Sequence, residues 1–120
     1  MNMDYDYNYG AKERETVKEG IESIRAVLCG EDGNAKRRLL FYLDWYIDPY
    51  YKNDLSVLYE LLKELLQEVV ISENEEDVIE EAIHLLEAYT DPPFEILEEN
   101  TGKWPGKFTP DIRYLVNTKD

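Results

Sequence analysis

Between residues 64 and 102 the chain has no lysine and no arginine. Over the same span it has thirteen acids: Glu64, Glu68, Glu73, Glu75, Glu76, Asp77, Glu80, Glu81, Glu87, Asp91, Glu95, Glu98 and Glu99. Threaded among them, Leu65 and Val69, then Ile79, Ala82, Ile83 and Leu86, recur at helical spacing. An acidic tail would lack that apolar stripe, and a half-buried strand would alternate at period two. The span therefore reads as amphipathic helices with one buried stripe and a carboxylate-rich outer surface.

The same periodicity extends over most of the chain. Val17, Ile21, Ile24 and Leu28 predict a helix over 12–29, with Gly30 as a left-handed stop. Asn34 is the expected cap of a helix over 35–47, whose core stripe is Leu39, Leu40, Leu43 and Ile47. Phe41, Tyr42, Trp45 and Tyr46 occupy its other faces, so this helix reads as central. Asp48-Pro49 ends it, because the residue before proline avoids the α region. Asn53 or Asp54 caps a helix over 54–71, with Leu55, Leu58, Leu62, Leu65 and Val69 inward, Glu60, Glu64 and Glu68 outward, and Lys63 offsetting part of their repulsion. Ser72-x-x-Glu75 is a capping-box pattern opening a helix over 73–89. Thr90-Asp91-Pro92-Pro93 punctuates, followed by a short helix with Phe94, Ile96 and Leu97. Residues 103–107 are a loop by composition. Thr109 and Pro110 open a last helix with Ile112, Leu115 and Val116. The expected fold is all-α: about six helices in an irregular bundle or a short HEAT-like stack of antiparallel helix pairs, with residues 11–120 as one domain. Residues 1–10, with Tyr5, Tyr7 and Tyr9, form an N-terminal tyrosine-rich arm.

The chain of 120 residues carries a net charge of −14. That charge disfavours nucleic acid and anionic membrane as direct partners and favours a basic protein, whose encounter it would steer. Cys29 is the only cysteine, so no intramolecular disulfide forms and a reducing compartment is expected. Residues 1–10 lack the basic and apolar regions of a signal peptide, and no stretch has the length and apolarity of a membrane span. The cytoplasm is the expected location and a monomer the expected state.

No catalytic fingerprint is present. The glycine-rich phosphate loops and the nucleophile elbow are absent. His84, the only histidine, has no cysteine nearby to complete a zinc set. Cys29 is expected to fill a small buried gap. No cofactor and no metal are expected. Glu60/Glu64/Glu68, Glu73/Glu76 and Asp77/Glu80 have spacings that could serve a magnesium-dependent nucleotide hydrolase, but no basic residue beside them would hold phosphate. Lys36, Arg37 and Arg38, placed where they oppose the helix dipole, are expected to pair with acids elsewhere in the chain.

The remaining signal is the acidic surface. Carboxylates four residues apart on a helix advance about 6 Å, a plausible substitute for a phosphate backbone. Such a surface suits the basic cleft of a nuclease. The expected partner-binding residues are Glu64, Glu68, Glu73, Glu76, Glu80 and Glu87, with Tyr89 and Trp104 as aromatic anchors; Tyr50 and Tyr51 are further candidates.

The run NEEDVIEEAIHLLEAYTDPPFEILEEN, followed after a loop by KFTPDIRYLVN, resembles the C-terminal part of small helical, HEAT-like immunity proteins encoded beside bacterial polymorphic or contact-dependent toxins. The quoted residues span 74–117, and the likeness reaches more loosely back to residue 34. The resemblance implies a non-enzymatic cytosolic antitoxin in bacterial competition, one that binds the basic toxin domain of its cognate effector and occludes its active site. No contact residue carries over by motif. A magnesium-dependent all-α nucleotide hydrolase and a peptide-binding helical adaptor are the alternatives.

Overall fold

The computed structural model describes residues 10–117, and among these there are seven α-helices and no strand. They are α1 (Ala11–Glu19), α2 (Ile21–Leu28), α3 (Gly33–Ile47), α4 (Tyr59–Ser72), α5 (Glu76–Tyr89), α6 (Glu95–Glu99) and α7 (Thr109–Asn117), with short 3-10 turns at Pro49–Tyr51, Thr101–Lys103 and Gly106–Phe108. Residues 1–9 of the tyrosine-rich arm, with Tyr5, Tyr7 and Tyr9, lie outside the described residues. No helix among them is long and apolar enough to cross a membrane.

Helix α5 is the hub, packing against α3, α4 and α7. Val78, Ile79, Ala82, Ile83, Leu85 and Leu86 are all buried on it, while Asp77, Glu80, His84 and Glu87 stay exposed. Six of its fourteen residues are buried because three neighbouring helices pack on it, and each large apolar side chain buried contributes about 1.5–3 kcal/mol. One core cluster draws residues from every helix, from Val17 of α1 to Leu115 of α7.

Several local expectations are corrected. The single helix over 12–29 is two helices, broken at Gly20, whose φ of 106° and ψ of −175° suit only glycine. Its amide still donates to Val17 O at 3.1 Å, and Ile24 N donates to its carbonyl at 3.2 Å. Gly20→Ala is expected to cost about 1–3 kcal/mol although nothing lies within 4 Å of the added methyl, because the cost is backbone strain and not collision. A thermal melt of the two proteins checks it.

Gly30 does not adopt the left-handed conformation; its amide closes α2 by donating to Val27 O at 3.2 Å. Cys29 is exposed, outside the Val17–Ile24–Leu28 stripe. Asp32, not Asn34, caps α3, accepting from Ala35 N at 3.1 Å. Asp54 accepts from Ser56 N and Oγ in the turn ahead of α4, so regular helix begins only at Tyr59. Ser72 is the last helical residue of α4 and donates back to Glu68 O, so no capping box forms with Glu75. Glu73 does that work instead, accepting from Glu75 N at 3.1 Å. Lys63 does not neutralise the outer glutamates; it is buried, donating to the Asp91 carbonyl and lying 5.1 Å from the centroid of the Phe94 ring. Thr109 is itself helical, its hydroxyl donating to Pro105 O.

Candidate functional site

The basic cluster of α3 is matched internally, as its placement against the helix dipole suggested. Lys36 Nζ lies 2.6 Å from Glu73 Oε1, Arg37 Nη1 lies 2.7 Å from Glu75 Oε1, and Arg38 Nε lies 3.3 Å from Glu13 Oε2. These pairs tie α3 to α1 and to the α4–α5 connection.

They also divide the eight residues expected to bind a partner. Glu73 is buried against Lys36 and Glu68 is half-buried against Arg25, at 2.6 Å, so both join elements of the fold. Glu76 is exposed and bridged to Lys107 at 2.7 Å. Among the described residues no salt bridge reaches Glu64, Glu80 or Glu87. Glu64 lines a groove with Tyr59, Lys63 and Pro92, whereas Glu80 lines a different one with α3. The Trp104 indole donates to Leu97 O at 2.8 Å and packs on the core. Tyr89 is half-buried and its hydroxyl donates to Asp44 Oδ1 at 2.5 Å. That bond, first, and burial, second, hold the phenol well above its ordinary titration range.

The structure adds what periodicity could not supply. Phe41 is 63% exposed, Trp45 42%, Tyr51 48% and Tyr50 79%. Rings of Tyr42, Trp45, Tyr51 and Tyr50 follow one another at centroid distances of 5.4, 5.5 and 5.0 Å, running from α3 into the turn after it. Large contiguous apolar surface of this kind marks an interaction site more often than chance exposure. Two cavities meet at Phe41. One, about 420 Å³, is lined by Gly10, Glu13, Arg14, Arg38, Tyr42 and Trp45. The other, about 450 Å³, is lined by Arg37, Arg38, Asp77, Glu80 and Glu81. Arg37 and Arg38 already have carboxylate partners outside it, so the three acids lining the second groove are not ion-paired with the two arginines that line it.

Beside these grooves Asp44 of α3 faces Glu81 and His84 of α5. The His84 Nε2 atom lies 3.5 Å from Asp44 Oδ2. Burial raises the Glu81 carboxyl above its usual range; His84 works against this, and the charges of Asp44 and Glu80 add to it. By contrast, Glu60/Glu64/Glu68, Glu73/Glu76 and Asp77/Glu80 do not gather into a metal-sized cluster among the described residues.

Comparison with protein-family models, with curated proteins and with solved structures finds no match to this chain.

Proposed function

We propose that this protein acts by stoichiometric binding to a basic protein domain, as an immunity protein or antitoxin that covers the active site of a toxin, with a nuclease as the class that fits best. The observation that supports the reading is the meeting at Phe41 of the aromatic cavity between α1 and α3 with the carboxylate-lined groove between α3 and α5. An arginine entering the 450 Å³ groove can pair with Asp77, Glu80 or Glu81 while stacking on Phe41. Trp45, Tyr50 and Tyr51 then supply the rigid contact area in which interface energy concentrates. A nuclease cleft is built to hold a line of phosphates, and a line of carboxylates competes for the same cations. Binding of this kind needs no catalytic group and no cofactor on this chain.

The test is capture of the partner from the source organism's lysate, followed by assay of the purified partner's activity against this protein. Inhibition complete at one equivalent is expected. Trp45→Ala should weaken binding by about 2 kcal/mol, roughly thirtyfold. Glu80→Lys should weaken it more than Glu64→Lys, which alters the other groove. If the captured protein is not basic, or if its inhibition is indifferent to Trp45 and Glu80, the reading is wrong.

A further inference from the structure

We infer that Asp44, Glu81 and His84 form a binding site for one divalent first-row transition-metal ion of the zinc class. The inference is argued from side-chain geometry and not from the partner-binding reading, with Glu81 common to both. Glu81 and His84 stand three residues apart on α5, a spacing that puts both side chains on one helical face. Glu-x-x-His pairs facing a carboxylate from a neighbouring helix are a general way for helical bundles to hold metals. Asp44 supplies that third donor from α3. One ligand atom from each residue lies within 4.8 Å of the other two.

The distances decide whether an ion fits. Zinc bonds of about 2.0–2.2 Å in tetrahedral geometry place donors about 3.3–3.5 Å apart. The Asp44 Oδ2 to His84 Nε2 separation, 3.5 Å, already meets this. No gap exceeds 4.8 Å, so each must close by at most about 1.5 Å, which a rotamer adjustment of exposed His84 and half-buried Glu81 provides. Asp44 is held in place, because Tyr89 occupies its Oδ1 and leaves Oδ2 turned to the histidine. Hydrogen bonds of this type orient ligating carboxylates and sharpen affinity. Two carboxylates also share one imidazole here, so they repel each other unless a cation stands between them. The imidazole nitrogen selects zinc, cobalt or nickel over magnesium and calcium, which prefer oxygen alone. Three protein donors leave the fourth position to water or to an incoming group.

The test uses the full chain and zinc alone, by titration calorimetry, with cobalt as an absorbing probe of coordination. One ion per chain is expected. His84→Ala and Glu81→Gln should each weaken binding at least about tenfold, and Tyr89→Phe should weaken it less. Glu87→Gln removes the same charge one turn away and should leave affinity within about threefold of the parent. Because His84 is the only histidine, its ring nitrogens report directly by NMR even if a variant folds poorly. Zinc should shift the Nε2 signal. Absence of saturable binding, unchanged binding in His84→Ala, or equal losses in Glu81→Gln and Glu87→Gln would each overturn the site, the last by showing diffuse attraction to the acidic surface.

Discussion

A Lys36→Met variant is expected to lose about 3–5 kcal/mol of folding stability, because it leaves the Glu73 carboxylate buried without its counter-charge. The two side chains are 8% and 7% exposed, so water cannot replace the lost partner. Glu73 would retain its bond from the Glu75 amide, which offsets only part of the desolvation. Chemical denaturation measures the loss, and the double variant Lys36→Met with Glu73→Leu separates its causes. Replacing both charges by apolar groups should recover most of the stability, since a buried pair is worth little against a well-packed apolar one. A double variant no more stable than the single would show that the packing of the long side chains, and not the charge, is what matters.

The same pair carries a pH signature. Burial by itself raises the Glu73 carboxyl, but the Lys36 ammonium and the amides of Glu75 and Asn74 overcome it and hold the group below the ordinary value of 4.5. A carboxylate depressed in the folded state binds fewer protons there than in the unfolded chain. Its contribution is complete above the unfolded value and is lost as pH falls through the folded one. In Lys36→Met burial is unopposed by the ammonium, the shift reverses, and protonation favours the folded state. The gap between parent and variant should therefore narrow on acidification below 4.5, and a gap that widens would contradict the assignment.

Much of the fold could be read from periodicity. The stripes of α3 and α5 are buried at the expected residues, and that of α4 at Leu62, Leu65 and Val69, whereas Leu55 and Leu58 precede the helix and are half-buried; a 3.6-residue period identifies a face but not where the helix begins. Breaks were harder. Val17 and Ile24 keep helical phase across Gly20, and the glycine itself is the one local signal that the chain is rewound there. Ser72 and Glu75 have capping-box spacing, yet tertiary pairing of Glu73 with Lys36 took over that junction. Of the carboxylates expected to bind, only Glu80 lines the α3–α5 groove, and of the exposed rings Tyr50 and Tyr51 are expected candidates while Phe41 and Trp45 are not. Phe41 and Trp45 adjoin a leucine stripe and read as core, because sequence cannot tell whether a neighbour covers the second face of a helix. Asp44 and His84 meet across forty positions of sequence, a pairing that only the packing of α3 on α5 creates.

Gln67→Leu is expected to cost about 2–4 kcal/mol although it swaps a buried side chain for an apolar one of similar volume. Gln67 is 3% exposed, and its Oε1 accepts from Ile96 N at 3.0 Å and Leu97 N at 3.2 Å. These are amides of the first turn of α6, which have no partner within that helix. Leucine would strand both, and the carbonyl of Lys63 would lose the bond from Nε2. A five-residue helix has no stability of its own, so α6 depends on this bond pair and on burial of Leu97. Hydrogen exchange should show the Ile96 and Leu97 amides opening locally in the variant while those of α3 and α5 stay protected. Unchanged exchange at these two amides would mean that α6 is held by packing instead. Because α6 packs on α4 and α7 and lines neither of the cavities that meet at Phe41, the loss should leave partner affinity intact. Trp45→Ala should do the opposite, keeping stability and losing affinity, since its ring is already 42% exposed and little core packing goes with it. If instead the two properties fell together in both variants, the grooves could not be a surface set apart from the fold, and the reading of α3–α5 as the working face would fail with that separation.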